Sequence, residues 1–583
     1  MYTEQNNIPR PEFPRPQFDR GEENFINLNG TWEYETDRGL SGEARDLCGD
    51  APYSERITVP FCRESVLSGI GDTDFCEGAW YRRSFSLPEG WAESRTLLHI
   101  GACDYEARVW VNGTYIGKHF GGYVSFSFDI TAALHAGENT VVIGVKDFVR
   151  SEDQPVGKQS QRYHSHGCSY TRTTGIWQTV WLERVPMDYI ANTKYYPDIE
   201  RGILRIEADI VGGEGMTLSA GAFYEGNAEG MDSVTVHGGH ATLFIKLSNV
   251  HLWEVGCGRL YDLFLTLFAD DEREADTVQS YFGMRKIECR DGIFYLNHKP
   301  VFQRLVLDQG FYPDGIYTAP TAAELEADID RSLQMGFNGA RLHQKVFEPL
   351  FLSMCDRKGY IVWGEHANWG LDISRPTAYK SFISEWCEIL ARDFNHPAII
   401  GWCPLNETQH TQDHDLIRLC ATVTRQYDNT RMYIDTSGWY HVKGVTDMMD
   451  EHNYDQNPET FARRYAPLKE KGGEVNVHHV FGREHELLTD MTFVSEYGGI
   501  RWATEEDKGW GYGDAPKTRE EFLARFKGLT EALLFHPRMS GLCYTQLTDV
   551  EQEVNGLYTY DRVPKFDAEE ISSVLRQTAK IEE

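Results

Sequence analysis

A chain of 583 residues with 41% hydrophobic, 13% aromatic and 25% charged residues has an ordinary globular composition, long enough for three or four domains and too long for a lone binding module. Fifty-seven Lys and Arg against 89 Asp and Glu leave a formal net charge of −32, a field that repels phosphate backbones and anionic membrane surfaces and so disfavours nucleic acid and membrane as partners. The 12 cysteines form no Cys-x-x-Cys pair, no apolar run is long enough to span a bilayer, and residues 1–20 lack the apolar stretch of a signal peptide, so the expectation is a cytoplasmic protein with reduced thiols.

Residues 81–88 and 107–113 alternate apolar with polar positions and end in turn formers, the pattern of half-buried strands. Asn112-Gly113 is a two-residue hairpin signal, because both turn positions need positive φ. Residues 1–185 are therefore predicted to form an antiparallel β-sandwich. Period two continues through 203–211 and 260–267, which suits an immunoglobulin-like β-sandwich over residues 186–284. After Arg285, helical stretches such as 322–335 alternate with short apolar runs at 359–363, 398–402, 432–435, 492–494 and 541–544. Alternation over residues 285–583 predicts a (β/α)8 TIM barrel and a multidomain β plus α/β fold class.

A barrel of this kind builds its site at the carboxyl ends of the strands, so the polar residues just past each apolar run are the candidates. In chain order they are Asp308, Arg341 with His343, Glu365 with His366, Asn406 with Glu407, His452 with Tyr454, and Glu496 with Tyr497. Carboxylates gathered with Trp369, Trp402, Trp439 and Trp502 point to carbohydrate, since aromatic faces pack on the apolar face of a sugar ring. Two such carboxylates can serve as acid and nucleophile in glycoside hydrolysis. His410 and His414 have the spacing of helical metal ligands but lack the glutamate of the His-Glu-x-x-His motif, so no metal is expected. A Gly-x-Ser-x-Gly elbow, a phosphate loop and a dinucleotide fingerprint are all missing, which argues against serine hydrolase, kinase and dehydrogenase.

Residues 402–407, Trp-Cys-Pro-Leu-Asn-Glu, and 493–499, Phe-Val-Ser-Glu-Tyr-Gly-Gly, resemble the acid/base and nucleophile motifs of glycoside hydrolase family 2. Residues 27–32 and 174–183 resemble the ends of that family's jelly-roll sugar-binding domain, 291–300 its entry into the barrel, and 336–343 its second barrel strand. The resemblance implies a jelly roll over residues 1–185 and retaining hydrolysis with Glu407 as acid/base and Glu496 as nucleophile. It also implies Asn406 on the sugar 2-hydroxyl, Tyr454 donating to the nucleophile, and Arg341 keeping that carboxylate ionised. Asp308, His343, Glu365, His366, Trp439 and Trp502 are expected to contact the substrate. No cofactor is implied, and self-association into a homo-oligomer follows from the resemblance alone.

Where β-glucuronidases of the family carry an Asn-x-Lys motif for the substrate carboxylate, this chain reads Glu553-Val554-Asn555. A Glu with no Lys after it disfavours a glucuronide by like charge. The expectation is thus an exo-β-glycosidase acting on a terminal neutral sugar, galactose first. The alternatives are a β-galactofuranoside, a pentoside or a β-glucuronide as substrate, and a catalytically silent carbohydrate-binding protein.

Overall fold

The computed structural model describes residues 8–478, 485–503 and 509–583. The chain opens with two antiparallel sheets packed face to face. The larger has six strands in the order Glu55–Val59, Gly30–Thr36, Gly78–Ser86, Glu138–Lys146, Glu106–Val111 and Thr114–Phe120. The smaller has four, Phe25–Asn27, Val180–Val185, Arg95–Ile100 and Phe126–Asp129. Trp32, Tyr34, Tyr81, Leu98, Val109, Ile143 and Leu182 fill the space between them. The Asn112-Gly113 turn closes its hairpin with φ of 50° and 75°, pairing Val111 with Thr114.

A second sandwich follows, with three strands (Tyr189–Asp198, Ile203–Val211, His240–Lys246) against four (Asn227–Thr235, Thr217–Tyr224, Tyr261–Phe268, Glu274–Phe282). Alternation sets its core: Leu204, Ile206, Ala208 and Ile210 are buried while their neighbours face outward, and they meet Leu243, Ile245, Leu263 and Leu265.

The remainder is a parallel barrel. Its strands are β1 (Gln303–Asp308), β2 (Gly339–Leu342), β3 (Ile361–Glu365), β4 (Ile399–Cys403), β5 (Met432–Tyr433), β6 (Asp450–Asn453), β7 (Phe493–Gly498) and β8 (Gly541–Thr545). They join in the order β5-β4-β3-β2-β1-β8-β7-β6, so β8 pairs with β1 and the ladder is open only between β5 and β6. Around it lie α1 (Ala322–Gln334), α2 (Pro349–Lys358), α3 (Pro376–Asp393), α4 (His414–Tyr427), α5 (Pro458–Tyr465), α6 (Arg519–Leu534) and α7 (Ala568–Leu575).

The crossover between β5 and β6, residues 434–449, has no helix, a departure from regular alternation. Gly438 and Gly444 stand at φ of 89° and 75°, outside helical space. Thr436–Ser437 instead pairs with Leu405–Asn406, and buried His441 clasps the gap, its Nδ1 2.6 Å from Asp435 and its Nε2 3.1 Å from Asp450.

Candidate active site

Strand parity decides which side chains reach the barrel axis. In β1, Gln303 Oε1 accepts from Trp363 Nε1 inside the barrel (2.8 Å), whereas Arg304 Nε turns to the helices and donates to Leu575 O (2.7 Å). Odd-numbered positions of β1 to β3 thus face the axis, and Arg341, His343 and Glu365 share it.

Arg341, 1% exposed, ties four strand ends together. Its Nε donates to Glu365 Oε1 (2.7 Å), Nη1 to Ser495 O (2.7 Å) and Glu496 Oε1 (3.2 Å), and Nη2 to Asn406 Oδ1 (3.1 Å). The other Glu365 oxygen accepts from Gln344 N (3.3 Å) and lies 3.1 Å from His343 Nδ1. Burial holds the His343 imidazole well below its usual pKa, so it is neutral. Asn406 Nδ2 is buried with no hydrogen-bond partner among the described residues, a donor left over at the mouth.

Glu407 adopts left-handed backbone (φ 48°) with its N–H donating to Ser437 O (2.8 Å), and this turn carries its carboxylate to His452 Nδ1 at 2.8 Å. The other ring nitrogen of His452 is 3.3 Å from Glu496 Oε1. Burial opposes charge on this ring, but the Glu496 and Glu407 carboxylates raise its pKa, so the charged form of the ring that bridges the two acids is favoured. Ligand-type atoms of Glu407, His452 and Glu496 all lie within 4.8 Å of one another, the one such group among the described residues. Both imidazole nitrogens are already directed at the carboxylates, which suits proton sharing better than a cation cage.

Burial alone would raise the Glu496 carboxyl. The charges of His452 and Arg341 and a short hydrogen bond from Tyr454 OH overrule it and hold the pKa below the usual carboxylate range. Tyr454 is held in turn by stacking on Tyr512, centroids 3.4 Å apart, and by Thr545 Oγ1 at 3.2 Å.

Three expected substrate contacts fall elsewhere. Asp308 has the wrong parity: its Oδ1 accepts from Gly310 N (2.9 Å), and the charges around it are Asp328, Lys345 and Arg562. Even-numbered His366 likewise lies behind β3, stacked on Phe382 and Trp386 of α3. Trp502 packs on Phe522 of α6 and on Phe566, centroids 6.0 and 5.9 Å away. Glu365 is on the axis, but both of its oxygens are engaged by Arg341, His343 and Gln344, so it buttresses Arg341. Trp439 is half-buried on the loop past Ser437. Trp402 also turns outward, its Nε1 donating to Asp428 Oδ2 (2.7 Å).

The strand-end reading missed residues from outside the barrel. Lys158 and Tyr170, both in the segment leading from Glu138–Lys146 toward Val180–Val185, reach the mouth, Lys158 Nζ lying 4.0 Å over the Trp369 ring and Tyr170 OH bonding Glu553 Oε2 (2.5 Å). No motif marks them in the sequence.

Three profiles match the chain in series: the sugar binding domain of glycosyl hydrolases family 2 over residues 70–186, glycosyl hydrolases family 2 over 188–285, and the family 2 TIM barrel domain over 287–473. The chain is 26% identical over 399 residues to a β-galactosidase of Leuconostoc mesenteroides, covering 63% of this chain and 36% of that protein. It is 23% identical over 443 residues to a β-glucuronidase of Paenibacillus borealis, covering 70% and 72%. The chain spans about half, or less, of the length of several curated relatives that it matches. Its fold is similar to that of Ruminococcus gnavus β-glucuronidase, with a TM-score of 0.80 at 18% identity, covering 97% of this chain and 100% of that one.

Proposed function

Because this chain belongs to glycosyl hydrolase family 2, we propose that it is a retaining exo-β-glycosidase that releases a terminal neutral sugar, a β-galactoside first among them. The observation that carries this reading is the paired carboxylates: oxygens of Glu407 and Glu496 within 4.8 Å of each other fit the separation of about 5–5.5 Å used for retention, not the roughly 6.5–9.5 Å used for inversion.

In the first step Glu496 Oε attacks the anomeric carbon while the glycosidic bond breaks and the departing oxygen takes a proton from Glu407. In the second, Glu407 removes a proton from water as that water attacks the same carbon and frees Glu496. His452 hydrogen-bonds Glu407 through Nδ1 and moderates the charge of Glu496 through Nε2. Asn406 Nδ2, unpartnered among the described residues, donates to the sugar 2-hydroxyl, a bond that strengthens in the oxocarbenium-like transition state. The buried Glu553 carboxylate disfavours a uronate.

A second reading, a β-glucuronidase, is favoured by the names of some relatives and by the Lys158 ammonium near the site. A panel of nitrophenyl β-glycosides separates the two. The highest kcat/KM is expected on a neutral sugar, and a preference for the glucuronide overturns the first reading. Inactivity on every member, with binding retained, would support the silent binding protein instead.

A further inference from the structure

Lys158 brings a cation to the carboxylates from outside the barrel. Val156 N and Gly157 N donate to Trp369 O (2.9 and 3.0 Å), and Gly157 N also donates to Ala367 O (3.1 Å). Gly157 has φ +63°, and a Cβ there would stand 2.5 Å from Gln344 O, so this loop lies against the segments after β2 and β3 without room for a side chain. The docking lays the Lys158 stem on Trp369, whose Nε1 donates to Asn406 O (3.3 Å). Lys158 is 5% exposed, yet among the described residues its ammonium forms no hydrogen bond and no ion pair within 4.0 Å. Burial opposes its charge, which the Cys168 thiol, Glu553, Glu496 and Glu407 favour.

Glu553 is the matching anion. It is 2% exposed and belongs to a closed ring of side chains. Tyr170 OH donates to its Oε2 (2.5 Å) and Asn555 Nδ2 to its Oε1 (3.0 Å). Gln546 Nε2 donates to Asn555 Oδ1 (2.7 Å), and Gln309 Nε2 to both Gln546 Oε1 (2.8 Å) and Tyr170 OH (3.0 Å). Tyr170 N donates to Lys158 O (2.7 Å), so the segment that carries the cation also anchors the anion. Burial raises the Glu553 carboxyl, and Lys158 is the largest influence that opposes this and favours its charge, but the two stay more than 4.0 Å apart.

Two desolvated opposite charges held in mutual range but out of contact are unfavourable unless a further group satisfies both. A hydroxyl can: it accepts from an ammonium and donates to a carboxylate at once. A sugar carboxylate would satisfy Lys158 while adding a negative charge near Glu553 and Glu496. We propose that Lys158 and Glu553 form a specificity-determining pair that reads one hydroxyl of the terminal sugar other than the 2-hydroxyl, so that the N-terminal sandwich supplies part of the sugar pocket. This rests on the neutral-sugar reading above.

The test is a cycle of variants and substrates: wild type, Lys158→Met and Glu553→Gln against the preferred nitrophenyl glycoside and its 3-, 4- and 6-deoxy analogues. In the wild type, one analogue is expected to lose at least about 10-fold in kcat/KM. Each variant should lose at least about 10-fold on the parent sugar, yet differ from wild type by less than about 3-fold on that one analogue. Equal losses on all four substrates, in a wild type that prefers a neutral sugar, overturn the pair and leave the neutral-sugar reading intact. A wild type that prefers the glucuronide, with Lys158→Met abolishing that preference, overturns both. Glu553→Gln, which keeps the shape and one of the two acceptor oxygens while removing the charge, decides the matter even if Lys158→Met folds poorly.

Discussion

His452 Nδ1 lies 2.8 Å from Glu407 Oε1, and in the proposed mechanism this contact makes the imidazole part of the proton-delivery group. Replacing His452 with Asn is expected to slow substrates with poor leaving groups by at least about 100-fold and activated dinitrophenyl glycosides far less, the pattern of lost acid catalysis. Equal losses on both, with melting temperature lowered, would mark His452 as structural.

The nucleophile's titration predicts the acid side of the pH profile. A carboxyl held below the usual carboxylate range is ionised above its depressed pKa and loses its charge only as pH falls through it. Inactivation by an activated 2-fluoro glycoside, which needs Glu496 but little acid assistance, should therefore stay level from pH 7 to about 4. Tyr454→Phe removes one donor to the carboxylate, so the acid limb should move upward and the plateau should fall. An unmoved limb would deny Tyr454 this role.

Asn406 makes a prediction of its own. Asn406→Ala should lower kcat/KM by at least about 10-fold on 2-hydroxy substrates and by less than about 3-fold on 2-deoxy analogues. Uniform loss would point instead to displacement of Arg341, which donates to Asn406 Oδ1.

Asp308 should affect stability rather than turnover. Burial and the nearby Asp328 push its carboxyl up to about 6. A raised acid stabilises the fold while protonated, below the unfolded value of about 3.9, and that contribution is lost as pH rises through 6. Asp308→Asn should keep kcat/KM near wild type and flatten the fall in melting temperature between pH 4 and 7. A large loss of kcat/KM would return Asp308 to the pocket.

These outcomes also explain what could be read before the structure. Period-two segments foretold both sandwiches because each sheet buries one face, as Leu204, Ile206, Ala208 and Ile210 do. The motifs around Glu407 and Glu496 stood out through their resemblance to the motifs of family 2. Which of two adjacent polar residues faces the axis was harder to see, since both faces of a parallel barrel strand are buried and alternation no longer marks the inside. Asp308 and His366 were misjudged for that reason, while Gln309, one residue on, joins the Glu553 ring. Lys158 and Tyr170 were invisible because they arrive by docking of another domain, far away in sequence.

The central claim is that Glu496 attacks the anomeric carbon. Its most direct test is mass-spectrometric mapping after inactivation with an activated 2-deoxy-2-fluoro β-glycoside of the preferred sugar. One glycosyl adduct per chain is expected, on Glu496 and absent from Glu496→Gln. An adduct on Glu407 or another carboxylate, in an enzyme that turns over the parent sugar, would contradict it.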